Sequence, residues 1–335
     1  MEHQRFLCPV GQGGFAIEVI GDYTVVYDCG SLTSQQNVEK CIDHLQRERK
    51  RVNVLFISHF DKDHVNSIGY LLKRVKVEKA VMSYIPDVLK EAYDRYTNGA
   101  YNAIRSLLRS NDVKTEEAGE YEDSPHRVEH HDIWEWIAKS MMTASDFAEV
   151  TMEMQAKGIN MGRLNDAVYL DGEKENINNA FKSVFGKKGP NAKGLIVLSQ
   201  KCKDVETKMS IIYQGCEWCH RNTSRMASRV SSCLYVGDAD VSNRKNRRSI
   251  RDFLAGRRTE TELMLIQIPH HGSQKNIGAR FDMTFPARYY FVNDINTKRF
   301  EKNLNLYNAL TGQKKLLLVG DNCQELMVTV TEVKE

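Results

Sequence analysis

Val52-Asn53-Val54-Leu55-Phe56-Ile57 runs directly into Ser58-His59-Phe60-Asp61-Lys62-Asp63-His64. The first stretch is too short and too uniformly apolar for a surface helix, so it reads as a buried strand. The loop after it carries two imidazoles and two carboxylates between His59 and His64, a mix of nitrogen and oxygen donors that suits a divalent ion. The C-terminal ends of strands are where layered α/β sheets place their ligands. Taken alone, the loop also fits, less well, a helix start capped by Asp61 or Asp63 with solvated histidines, and what surrounds it strengthens the metal reading.

Upstream, residues 6–31 read as two strands with a turn at Gly21-Asp22, and Gln35 to Arg51 carries Val38, Cys41, Ile42 and Leu45 at helical spacing. Downstream, 66–75 reads as a helix and 79–84 as a strand. This alternation predicts a layered α/β fold. From 87 to 165 the pattern changes. Helical stretches at 87–109 and 132–157 flank a polar segment with Glu116, Glu117, Glu120, Glu122 and Asp123 and with His126, His130 and His131; this predicts an inserted helical subdomain. Strands return at 194–199, 209–213, 233–236, 263–268, 289–292, 315–319 and 326–330, with no internal repeat.

Two of those strands end in further donors, Gly237-Asp238-Ala239-Asp240 and Pro269-His270-His271-Gly272-Ser273. A Gly-Asp at a strand end is by itself an ordinary turn, and one satisfied core histidine can sit beside an exposed one. Three donor sets at three strand ends together point to metal. In this order HFDKDH, GDAD and PHHGS resemble the metallo-β-lactamase superfamily, and within it the lactamase-like domain of the ComEC type of competence protein. Val10-Gly11-Gln12-Gly13 and Tyr27-Asp28-Cys29-Gly30-Ser31 look like that family's opening hairpin. The resemblance spans residues 6 to 273 apart from the helical segment. It implies an αββα four-layer sandwich over 1–335 with 87–165 inserted in it. It further implies one or two divalent ions, with His59 and Asp61 on one, Asp63 and His64 on the other, Asp238 bridging, and a last ligand from the His270–His271 pair, with His271 favoured. Asp61 stands where the wider superfamily has histidine, which keeps the chain with the ComEC-like members. The superfamily's extra histidine between the first and second motifs has no clear counterpart, since His126, His130 and His131 lie in the insertion; the first metal position is thus short of ligands. Gly14 replaces the usual aspartate after VGQG, and no His-Pro appears near residue 300.

An aspartate at 61 hardens the first site toward manganese or magnesium relative to zinc, and such ions pair with phosphate oxygens. Arg244, Lys245, Arg247, Arg248, Arg251, Arg257 and Arg258 lie between two of the metal motifs; they read either as a phosphodiester path or as a solvated basic helix burying Ile250, Phe253 and Leu254. The expected function is metal-dependent hydrolysis by activated hydroxide, with DNA or RNA as substrate. Asp63 and His64 would hold the activating metal, and the histidine of the 270/271 pair that is not a ligand, His270 on this assignment, would protonate the leaving oxygen. Two alternatives stand beside it: a small-molecule phosphoesterase on the same site, and a non-catalytic subunit whose insertion docks a protein partner.

Composition bounds these readings. The chain has 335 residues, 27% charged and 41% hydrophobic, with a formal charge of +3, which excludes disordered and collagen-like classes. No apolar run approaches the roughly 20 residues of a membrane span, and the start lacks a basic region followed by an apolar one; the expectation is a cytoplasmic protein with no membrane partner. Eight dispersed cysteines do not form a disulfide framework. Cys216-Glu217-Trp218-Cys219-His220 has a haem-attachment form, or with Cys202 or Cys233 a zinc knuckle, against the plainer reading of a loop with packed cysteines. His130-His131 with Trp134 and Trp136 is a candidate lid, against the plainer reading of insertion surface.

Overall fold

The computed structural model describes residues 2–48, 50–119, 125–130, 134–202, 207–213, 224–228, 231–257, 263–277, 281–293, 306–308, 310, 313, 316–319 and 326–332. The chain opens with β1 (Glu2–Leu7), β2 (Gly13–Ile20) and β3 (Tyr23–Ser31), and α1 (Gln35–Arg47) leads to β4 (Val52–Phe56). Next come α2 (Lys62–Val65), α3 (Ile68–Arg74), β5 (Val77–Ser83), α4 (Lys90–Tyr96), α5 (Ala100–Ser110) and β6 (Lys114–Ala118). A second sheet begins with β7 (His126–His130) and β8 (Trp134–Ser140); α6 (Ala144–Ala156), α7 (Ala167–Gly172) and α8 (Lys174–Phe185) then precede β9 (Leu195–Lys201). The remainder is β10 (Thr207–Tyr213), β11 (Ser224–Ser228), β12 (Cys233–Tyr235), α9 (Arg244–Leu254), β13 (Leu263–Gln267), α10 (Gln274–Ile277), α11 (Phe281–Thr284), β14 (Ala287–Asn293), β15 (Leu316–Val319) and β16 (Leu326–Glu332).

One sheet has the order β11-β10-β16-β1-β2-β3-β4-β5-β6 and the other β15-β14-β13-β12-β9-β8-β7. β3 through β6 pair in parallel, as do β12 through β15, because each step crosses over through intervening chain. The period-two geometry of strands sorts the side chains. On β2, Phe15, Ile17 and Val19 face the helices, while Ala16 and Ile20 face the opposite sheet. Val38 and Ile42 of α1 and Phe181 of α8 cover the outside of the first sheet. Ile250, Phe253 and Leu254 of α9 cover the outside of the second. Between the sheets lie Tyr27, Phe56, Trp136, Val197, Tyr235 and Phe291. These are the four layers expected from the sequence. Among the described residues no helix is long and apolar enough to cross a membrane.

The segment 87–165 differs from a purely helical insertion. Its first helical stretch forms as α4 and α5, broken where Asn98 and Gly99 take left-handed backbone angles. Its second does not begin at 132. Trp134, Trp136 and Ala138 alternate into the layer between the sheets while Ile137 faces the other way, so this part is strand β8. The helix starts only after Thr143, whose side chain forms a reciprocal capping box with Asp146. β6 lengthens the first sheet and β7–β8 the second, so the segment contributes to both. The lid reading falls with this, because Trp134 and Trp136 are 3% and 1% exposed in the core. His131, Glu120, Glu122 and Asp123 lie outside the described residues.

Candidate metal centre

Because β3 and β4 run in parallel, Asp28 near the end of one lies beside Ser58 just past the end of the other; the Ser58 amide donates to Asp28 Oδ1 at 2.7 Å. β12 and β13, likewise parallel, bring Asp238 and the His270–His271 turn to one edge of their sheet. The three motifs meet there. His59 Nε2 is 3.7 Å from Asp238 Oδ2, and His64 Nε2 is 3.4 Å from Asp238 Oδ1. His271 Nε2 is 3.1 Å from Asp63 Oδ2, which lies 3.9 Å from His64 Nε2. Two donor triads result, His59–His64–Asp238 and Asp63–His64–His271, with donor atoms within 4.8 Å of one another in each.

This grouping differs from the pairing inferred from the motifs. His64 is shared by both triads rather than tied to Asp63 alone. Asp61 sits at the rim, its side chain 49% exposed and its Oδ2 3.8 Å from His59 Nε2. His271 is buried and belongs to a triad, whereas the His270 side chain is 35% exposed with Nδ1 2.5 Å from Asp238 Oδ2.

The donor atoms fit a divalent ion. His59 Nε2, His64 Nε2 and Asp238 Oδ1 are shut off from solvent and have no hydrogen-bond partner. Buried polar atoms left unpaired are strongly disfavoured, yet three from two distant motifs converge. Ionised carboxylates and a neutral His59 suit ligation, whereas His64 would exchange its proton for the ion. Burial works against charge on Asp238, but the imidazoles of His270 and His64 hold its carboxyl well below the ordinary range. Burial likewise opposes Asp63, and its contacts with His271 and His64 hold it below that range. Burial, reinforced by His64, lowers the pKa of His59, while in His64 itself burial is outweighed by Asp28 and Asp238, so its pKa lies well above the usual value.

The residues that orient these donors were not assigned roles from the sequence. Asp28, fully buried with φ of 55°, accepts from Ser58 Oγ at 2.7 Å and lies 2.7 Å from His64 Nδ1. A carboxylate on one ring nitrogen fixes the other toward a metal. Gly14 explains its own departure from the family pattern: a Cβ there would lie 2.6 Å from His64 Nδ1 and 2.8 Å from Asp28 Oδ2. Asn293 faces His271, its carbonyl 3.2 Å from Nδ1. The only sequence signal was Tyr27-Asp28-Cys29-Gly30, which marked the opening hairpin without a task for Asp28. Asp28→Ala is expected to lower divalent-metal affinity about 10–100-fold, measured by competition with a chelating dye; wild-type affinity would remove the orienting role.

Of the cations proposed for a substrate path, Arg244, Lys245, Arg248 and Arg251 are exposed on α9. Arg247 does not belong with them, because its guanidinium donates to the carbonyls of Val241 and Ser242 and so closes the start of the helix. Arg248 lies 3.8 Å from Asp252 on the same helix. Arg258, Cys216, Cys219 and His220 lie outside the described residues, and Cys233, a candidate fourth knuckle ligand, is buried between the sheets.

Residues 14–135 match the model of the metallo-beta-lactamase superfamily, generally one of metal-dependent hydrolases, and the two-sheet sandwich is that fold. Solved structures that resemble the chain include a CmlA beta-hydroxylase E377D mutant (9% identity, TM-score 0.49, 99% of this chain and 54% of that one). They also include the Rm3 metallo-beta-lactamase (11%, 0.36, 93% and 92%) and MEM-A1, a subclass B3 metallo-beta-lactamase from a soil metagenome library (10%, 0.36, 93% and 94%). The chain therefore spans about half the length of the hydroxylase it resembles. No curated protein matches it.

Proposed function

We propose that the chain is a metal-dependent phosphodiesterase whose substrate is DNA or RNA. The observation that carries this is a mixed donor set, Asp63 and Asp238 with His59, His64 and His271 and with Asp61 at the rim, placed just before a helix of exposed cations that starts four residues after Asp240. Carboxylate-rich sites favour manganese or magnesium over softer ions, although zinc fits the imidazoles. A bound divalent ion lowers the pKa of a coordinated water and polarises a phosphoryl oxygen. The chain's own groups do the rest. Asp63, His64 and Asp238 hold the site, with Asp28 keeping His64 aligned. His270, partly exposed and tied through Nδ1 to Asp238, has its other ring nitrogen for the proton needed by the leaving oxygen. Arg244, Lys245 and Arg251 would meet the polyanion along α9.

The test is cleavage of single- and double-stranded DNA and RNA beside a bis-aryl phosphodiester, with manganese or zinc added. In Arg244→Gln/Lys245→Gln/Arg251→Gln, nucleic-acid cleavage is expected to fall tenfold or more relative to the aryl substrate, and the salt dependence of binding to flatten by roughly 0.7–0.9 in log–log slope per lost phosphate contact. Equal loss on both substrates, or none, would remove the α9 path. Turnover of the aryl ester alone would make the enzyme a small-molecule phosphoesterase, and absence of both metal and activity would make it a non-catalytic subunit.

A further inference from the structure

We infer that Asn191 supplies a neutral oxygen ligand to the metal position formed by His59 and Asp238, an assignment that rests on the metal centre proposed above. Asn191 lies in the short 3-10 turn Pro190–Lys193, which leads into β9. β9 runs antiparallel to β12 with Val197 across from Tyr235 and Ser199 across from Cys233; continued by three residues, that register sets Gly194 across from Asp238. The turn is tied to both neighbouring motifs. The Leu195 amide donates to the Ser58 carbonyl at 2.7 Å, one residue before His59, and the Asp240 amide donates to the Ala192 carbonyl at 2.9 Å, two residues after Asp238. Asn246 Nδ2 donates to the same Ala192 carbonyl at 3.2 Å, and Lys188 pairs with Asp240 at 2.8 Å. The fit against the first motif is close: a Cβ on Gly194 would lie 2.6 Å from the Ser58 oxygen.

Within this clamped turn the Oδ1 of Asn191 is shut off from solvent and accepts no hydrogen bond, the condition also of His59 Nε2 and Asp238 Oδ1. Leaving a buried amide oxygen unpaired is costly; Asn178 and Asn293 share the condition, and what marks Asn191 is the turn that ties it to the His59 and Asp238 motifs. A divalent ion satisfies its oxygen. On the His59 side the buried donors are His59, His64 and Asp238, with Asp61 half exposed at the rim, so a further oxygen would extend a set of three. A side-chain carbonyl is a hard donor of the kind manganese, magnesium and calcium accept, and being neutral it adds no further negative charge beside Asp238.

Manganese titrations of the protein by calorimetry, with bound metal counted by elemental analysis, test the assignment. Asn191→Ala is expected to weaken the ion at His59 and Asp238 tenfold or more, while metal-free protein keeps its far-ultraviolet spectrum and melting temperature. Asn191→Asp, which retains the oxygen, is expected to bind at least as tightly as wild type. Wild-type affinity and stoichiometry in Asn191→Ala would overturn the ligand while leaving the metal centre standing. No ion on the wild-type chain would overturn the centre and the ligand with it. If Asn191→Ala does not fold, Asn191→Asp decides alone, and a tenfold loss of affinity there would overturn the proposal.

Discussion

His64→Ala is expected to remove both ions and lower metal-dependent hydrolysis by on the order of a thousandfold or more, whereas Asp63→Ala is expected to lose activity as severely but retain part of its metal. The difference follows from geometry. His64 Nε2 belongs to both triads, His59–His64–Asp238 and Asp63–His64–His271, so its loss takes a ligand from each. Asp63 serves the second triad only. Folding must be checked separately, because His64→Ala leaves the buried Asp28 carboxylate with the Ser58 amide and hydroxyl but without its imidazole. Asp63→Ala leaves His271 facing the Asn293 carbonyl. Elemental analysis beside turnover separates the two variants. Undiminished cleavage in both would end the assignment of this centre as the active site.

Much of this candidate centre is legible because its donor residues sit in short runs at strand ends. His59, Asp63 and His64 fall within six residues, and the apolar runs before them, before Asp238 and before His270 read directly as strands. What was hidden depends on pairing across the sheets. Asp28 becomes a partner of His64 only when β3 and β4 align, and Gly14 is explained only by the bulge between Gly14 and Ala16 that presses it against that pair. Trp-Glu-Trp-Ile-Ala-Lys-Ser of β8 suits a helix as well as a strand at this length; only the burial of Trp134 and Trp136 between two sheets makes it a strand. Arg247 shows the same limit in a charge run. Sequence counts it with its neighbours, whereas the loop from Asp240 to Asn243 needs its guanidinium to satisfy two carbonyls.

Glu18 presents the sharpest conflict between local pattern and fold, and from it the largest stability effect is expected. It points from β2 into the apolar layer between the sheets, yet it is 2% exposed. Oε1 accepts from Arg5 Nε at 2.8 Å and the Tyr235 hydroxyl at 2.7 Å; Oε2 accepts from Trp136 Nε1 at 2.8 Å and Ser199 Oγ at 2.7 Å, with His3 Nε2 at 3.0 Å. Arg5, itself fully buried, completes its set on the Ser231 carbonyl and Ser199. Glu18→Ala would leave that guanidinium charged and without its counter-ion in the core, a loss of about 3–5 kcal/mol out of a total near 5–15 kcal/mol for a typical domain. The same network sets an acid limit. Burial opposes charge on Glu18, but Arg5 and His3 hold its carboxyl below the ordinary range, so its contribution is present above the unfolded carboxylate pKa and is lost as pH falls. Burial and then Arg5 lower His3 from 6.5 to about 4. Between those values the unfolded chain binds a proton that the folded chain refuses, so stability falls as pH drops from 6.5 to 4, by about 3 kcal/mol from His3 alone. Urea unfolding of wild type, Glu18→Ala and His3→Leu across that range measures both effects. His3→Leu should flatten the slope above pH 4.5 and leave the Glu18 loss below it. A pH-independent midpoint in wild type, or a Glu18→Ala loss under about 1 kcal/mol, would show that the buried cluster does not hold the two sheets together.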